Sequence, residues 1–249
     1  AAKDLKQVYR FATPPAVLDF EHATAQLVDG TAGDTTLHQY ADGLCLTLYP
    51  IVGQAIDKPA ASTSGMDYSY DQTDDDGIEL AMSDNTVKGR EGIDRFTVGY
   101  QAFSAELEFS IADVSGTDDC LFGFRKVEAH QAAVDDYDEM AAWNIISGDI
   151  KTETILNGGS TTTTDITSGG GDAAGNWANA GSHRLKVSVS KAGAVTYQID
   201  GETPSSAAAF SFDSGEVVTP FFYLLQASDL SGAVVLKKLT VESDNGSME

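Results

Sequence analysis

Basic residues are scarce. Lys and Arg together number 15 against 38 Asp and Glu, which leaves a formal net charge of −23. The sequence-independent part of nucleic-acid affinity comes from Lys and Arg, and anionic membrane surfaces repel a chain of this sign. Lys237-Lys238 and Arg125-Lys126 are isolated pairs, and no longer basic cluster exists. Nucleic acid and membrane are therefore excluded as expected partners. Long apolar runs are also missing: none approaches the ~20 residues of a membrane-spanning helix. Cysteine is limited to Cys45 and Cys120, with no CxxC or Cys/His cluster around them. They read as two small buried apolar residues, a single disulfide being the alternative. The four histidines, His22, His38, His130 and His183, are scattered, without the HExxH or paired spacing of a zinc site. No Gly-x-Ser-x-Gly elbow, Walker-type loop or dinucleotide-binding glycine loop is present, and Gly169-Gly170-Gly171 has no strand–helix context.

What is present is the composition of a folded chain, 42% hydrophobic and 21% charged. Period-two alternation dominates. Ala105-Glu106-Leu107-Glu108-Phe109-Ser110-Ile111 puts Leu107, Phe109 and Ile111 on one face and both glutamates on the other. Further strands are predicted at 120–124, 142–146, 151–156, 184–190, 195–199, 217–225 and 234–241, and no long stretch has helical periodicity. Residues 184–199 form the best hairpin, through Lys191-Ala192-Gly193. The Gly/Ser/Thr-rich stretch 158–171 reads as a loop or a weak edge strand. Many short strands at this spacing predict an all-β antiparallel sandwich. Residues 1–19 are expected to be an N-terminal arm that Pro14-Pro15 interrupts, 20–243 a single sandwich domain best defined over 76–243, and 244–249 a tail. The start Ala1-Ala2-Lys3-Asp4-Leu5 lacks the apolar stretch of a signal peptide, so a chain made in the cytoplasm that lost only its initiator Met is expected.

The segment Trp177-x5-His183-Arg184-Leu185-Lys186-Val187-x-Val189, followed by Gly193-x-Val195-Thr196-Tyr197-x-Ile199-Asp200-Gly201, resembles the concanavalin A-like superfamily, in particular its laminin-G-like and pentraxin-type jelly rolls. The run Leu236–Glu242 is similar to that family's closing strand. The resemblance implies a jelly-roll β-sandwich. It leaves function open, because the fold hosts lectins, glycosidases, lyases and structural modules. In general character the chain also resembles phage capsid decoration and head-fibre proteins.

Each chemical candidate has a plain structural alternative. Glycosidases of this fold gather carboxylates on one strand face, and retaining hydrolysis needs two of them about 5 Å apart. Glu106-x-Glu108 comes nearest, but Ser110 stands where a third acid would be, so a solvated strand face is the expectation. Asp71–Gly77 is similar to a calcium loop, but Gln72 and Ser83 break the EF-hand pattern; Asp74 and Asp76 remain candidates for a lectin-type calcium site. The clusters 135–139 and Asp118-Asp119 read as solvated acidic turns. Trp143, Trp177 and Tyr223 would stack on a sugar if exposed, and burial is expected for at least one tryptophan. The reading drawn from all this is a non-enzymatic virion surface protein, a homo-oligomer partnered by a major capsid or other virion protein. The alternatives are an extracellular carbohydrate-binding lectin-like module and a glycosidase or polysaccharide lyase of the same fold.

Overall fold

A computed structural model describes residues 16–19, 37–41, 44–51, 60–62, 64–67, 77–82, 95–166, 175–226 and 234–244. Sixteen strands run through them. The first seven are β1 (Ala16–Asp19), β2 (Leu37–Ala41), β3 (Leu44–Ile51), β4 (Ala60–Ser62), β5 (Gly65–Asp67), β6 (Gly77–Ala81) and β7 (Phe96–Thr97). Then follow β8 (Phe103–Ile111), β9 (Thr117–Lys126), β10 (Met140–Ile146), β11 (Asp149–Ile155) and β12 (Thr162–Asp165). The last four are β13 (Ser182–Val189), β14 (Val195–Ile199), β15 (Val217–Gln226) and β16 (Val234–Ser243).

All pairings are antiparallel and build two sheets. A seven-stranded sheet runs β14-β13-β8-β16-β5-β4, with β1 also on β16; a nine-stranded sheet runs β12-β11-β10-β9-β15-β6-β3-β2, with β7 also on β15. The predicted jelly-roll sandwich is the observed architecture, and each strand expected after residue 104 is present. The stretch 158–171 contributes an exposed edge strand, β12. Ala16–Asp19 pairs with Asp19 opposite Lys238 and Ala16 opposite Val241 of the same chain. Residues 1–15 and 245–249, and with them most of the expected arm and tail, lie outside the described residues.

Alternation accounts for the layering. In β8, Phe103, Ala105, Leu107, Phe109 and Ile111 point inward and are buried, while Glu106 and Glu108 are half-buried on the outer face. Glu106 stands opposite Lys186 and Thr240, and Glu108 opposite Arg184 and Lys238. Such cross-strand charge pairs contribute roughly 0.2–1 kcal/mol each and fit a solvated face. Between the sheets, Phe109, Trp177 and Phe222 form one aromatic cluster, and Phe96, Phe103 and Phe124 another. Burying each such side chain stabilises the fold by roughly 1.5–3 kcal/mol. Trp143 spans the layers: its indole N–H donates to the Lys186 carbonyl of the facing sheet at 3.1 Å.

The resemblance-bearing motif has a local explanation. Asp200 (φ +53°) and Gly201 (φ +85°) make a left-handed turn after β14. One Asp200 carboxyl oxygen accepts from the Arg184 amide at 2.9 Å, and the other lies 2.6 Å from His183 Nδ1. His183 is buried and meets Trp177 edge-on, with ring centroids 4.6 Å apart. The acid thus ties the turn to the start of β13 and, through His183, to the core aromatics. Trp177 and His183 are structural.

Candidate binding face

The outer face of the nine-stranded sheet is not uniformly solvated. In β9, Cys120, Phe122 and Phe124 belong to the core between the sheets, while Leu121 belongs to a second apolar cluster on the outer side. That cluster includes Tyr49, Met140, Ile155, Phe221 and Tyr223, and it lies beneath the connection 127–139 between β9 and β10. β15 is therefore buried on both faces, which is why Val217–Leu225 reads as a nearly continuous apolar run. The indoles of Trp143 and Trp177 and the ring of Tyr223 are all buried, so none of the three is a sugar-stacking platform as it stands.

A buried polar network fastens the connection to the sheet. Glu79 (β6) and Arg125 (β9) are both fully buried. Arg125 donates to Glu79 Oε1 from Nε at 2.8 Å and from Nη2 at 2.6 Å, and its Nη1 donates to the Lys126 carbonyl at 2.9 Å. The Tyr137 hydroxyl donates to Glu79 Oε2, and the guanidinium lies over the Tyr137 ring, 4.7 Å from its centroid. His130 Nδ1 is 3.4 Å from Glu79 Oε2, and the imidazole stacks on Tyr49 at 4.6 Å. Tyr223 donates from its hydroxyl to the Ala132 carbonyl at 3.0 Å. Burial alone would raise the Glu79 carboxyl, but Arg125, His130 and Tyr137 together hold it below the ordinary carboxylate value. The expectation of a solvated turn at residues 135–139 is corrected here: Tyr137 and Glu139 are buried, and only Asp135 and Asp136 of that cluster are exposed.

Beside this covered region the outer face turns polar. Asn144 (β10) is fully buried, and its amide nitrogen donates both to Asp119 Oδ1 (β9) at 2.6 Å and to Glu153 Oε2 (β11) at 2.9 Å. Its carbonyl oxygen accepts from the Cys120 amide at 3.1 Å. Burial raises the Asp119 carboxyl; the Asn144 hydrogen bond opposes this, and Asp118 and Asp135 add to it. Glu153 is likewise raised by burial, opposed by Asn144 and by Lys151. The pair Asp118-Asp119 is thus not a plain solvated turn, since Asp119 is half-buried and bonded. At the strip's margin, Lys151 Nζ lies 3.3 Å from Asp165 and 4.0 Å from Asp149. Cys120 is a buried free thiol, raised by burial and by Asp119, so the disulfide alternative does not apply to it.

Asp119 and Glu153 present a separation that matters chemically. Two oxygens bonded to one nitrogen are at most about 5.5 Å apart, no farther than the carboxyl pair of a retaining glycosidase. The Asn144 amide is hydrogen-bonded to both carboxylates and occupies the point between them. Glu106 and Glu108 lie on the opposite sheet and face cations, apart from this strip. Among the described residues no group of three or more His, Cys, Asp or Glu side chains is placed to hold a metal ion. The calcium candidates Asp74 and Asp76 lie outside the described residues, as does the side chain of Cys45.

No family model and no curated protein sequence matches the chain. Solved structures do. The carbohydrate recognition domain of Emp46p in its metal-free form superposes with a TM-score of 0.54 at 11% identity, over 90% of this chain and 97% of that one. Lectin II from Ulex europaeus gives 0.52 at 11% identity, over 92% of this chain and 98% of that one. Trypanosoma rangeli sialidase gives 0.50 at 9% identity, over 91% of this chain and 30% of that one. At such identities the likeness establishes the fold alone, an antiparallel jelly-roll β-sandwich like that of these lectin domains.

Proposed function

We propose that the chain is a carbohydrate-binding, non-enzymatic module that engages saccharide hydroxyls on the outer face of the nine-stranded sheet, beside the 127–139 connection. The carrying observation is the buried Asn144 amide clamped between Asp119 and Glu153. The clamp fixes two partly desolvated carboxylates on rigid neighbouring strands, where they accept hydrogen bonds from donors brought to the strip. Charge-assisted bonds of this type are short and roughly twice as strong as neutral ones, which suits recognition of vicinal hydroxyls. That the Emp46p and Ulex europaeus structures are lectin domains supports this reading over the virion-surface one, for which neither geometry nor likeness supplies an argument.

The test is glycan-array screening with and without calcium, followed by calorimetric titration of any hit against Asp119→Asn and Glu153→Gln. Each replacement keeps shape and removes charge. Loss of binding by about tenfold or more in either variant is expected, corresponding to one charge-assisted hydrogen bond. An array without signal in both conditions refutes carbohydrate binding. A hit that both variants retain in full refutes this location.

A further inference from the structure

Glu139, the last residue before β10, is fully buried, and neither carboxyl oxygen has a hydrogen-bond partner among the described residues. Its own carbonyl accepts from the Lys126 amide at 2.8 Å, which closes the base of the 127–139 connection onto the end of β9. The charged groups acting on its side chain are Glu216 and Asp213, of the segment leading into β15, and the cation Lys126. Lys126 is already engaged, with Nζ 2.6 Å from Asp138 Oδ2 and 3.3 Å from Glu216. Gly158 donates from its amide to the Asp138 carbonyl at 2.7 Å, and Asn157 donates to Asp213 Oδ2 at 3.1 Å. Three chain segments thus converge on a buried carboxyl whose neighbouring cation, Lys126, is held by other acids.

A buried ionised carboxylate without a partner is costly, and an added like charge nearby increases the cost. We propose that Glu139 is a proton switch at the base of the 127–139 connection: protonated, it lets that connection and the 213–216 segment close on one another; ionised, it drives them apart until water reaches it. Burial, and after it the Glu216 charge, pushes the carboxyl up to about 7 against the opposing pull of the Asp213 backbone and Lys126, which places the switch near neutrality. The folded state holds this proton more tightly than an opened state in which the group is solvated. Closure is therefore strongest at acid pH, weakens as pH rises from the ordinary carboxylate value of 4.5 to about 7, and changes little beyond. Asp135 on the same connection adds to the field at Asp119 and Glu153, so opening also alters the polar strip.

Hydrogen exchange of the full chain between pH 5 and 8, corrected for intrinsic rates, tests this. The opening equilibrium of residues 127–139 and 213–216 should increase by up to about tenfold per pH unit below pH 7 and then level off. Glu139→Gln, which keeps the shape of the protonated acid, should remove the dependence and leave both segments protected throughout. A wild-type profile without pH dependence overturns the proposal, as does the same slope in Glu139→Gln. A slope that survives Glu139→Gln and disappears in His130→Asn, which alters another ionisable group of the connection, also overturns it.

Discussion

Removing Arg125 should destabilise the chain far more than removing Arg125 and Glu79 together. Arg125→Met deletes two hydrogen bonds to Glu79 Oε1 and leaves that carboxylate fully buried, with Tyr137 as its close donor and His130 at 3.4 Å. Breaking a buried pair from one side costs about 3–5 kcal/mol, because the surviving charge stays desolvated. Against a total stability of about 5–15 kcal/mol, that is a large fraction. The double replacement Glu79→Gln, Arg125→Met removes both charges and should cost about 1–2 kcal/mol, giving a coupling of about 2 kcal/mol or more. Urea unfolding followed by tryptophan fluorescence reads this directly, since Trp143 and Trp177 are both buried.

Acid titration adds a second reading. In the wild type the Glu79 carboxyl is held low, so the unfolded chain takes up its proton first and the contribution is lost as pH falls below the ordinary carboxylate value of 4.5. With Arg125 gone, burial dominates, the carboxyl is raised, and Arg125→Met should lose less stability toward acid than the wild type does. An Arg125→Met penalty within about 1 kcal/mol of wild type would refute the argument, as would a double variant whose cost equals the sum of the single costs.

The hairpin lock gives a related expectation. Asp200→Ala deletes the acceptor of the Arg184 amide and the partner of buried His183, and should cost about 2–3 kcal/mol in the same urea assay; a change under 0.5 kcal/mol would show the lock to be idle. Backbone approach gives another. A Cβ on Gly123 would sit 2.2 Å from the Ala141 carbonyl oxygen and 2.6 Å from the Ala142 Cα, so Gly123→Ala should destabilise by about 2 kcal/mol or more, and an unchanged denaturation midpoint would contradict the close pairing of β9 with β10.

The strands were legible where one face meets water. Leu107, Phe109 and Ile111 alternate with Glu106, Glu108 and Ser110, and the pattern alone assigns faces and places the glutamates outside. The motif around His183 and Asp200 was legible as a fold signature, though the sequence does not reveal that one carboxylate binds both the turn and the buried imidazole. The network at Glu79 was not read, because its partner Arg125 is 46 residues away and pairing across a sheet leaves no local spacing. A signal did exist: Glu79 is the lone charge in Gly77-Ile78-Glu79-Leu80-Ala81, and Arg125 directly follows the apolar run Leu121-Phe122-Gly123-Phe124. Residues 135–139 look like a solvated acidic turn because burial there is imposed by the sheet beneath, through contacts that no local pattern encodes. The Asp119–Asn144–Glu153 strip was missed for the same reason, since it draws one residue from each of three neighbouring strands.

The 127–139 excursion makes the protein three-tiered in cross-section, with Leu121, Met140, Phe221 and Tyr223 sandwiched between sheet and loop. For anyone re-engineering the chain, this span is no spare handle. Trimming it, or inserting a tag within it, would uncover a contiguous greasy surface and orphan the charged pair beneath, so the shortened protein would self-associate instead of offering a roomier cleft.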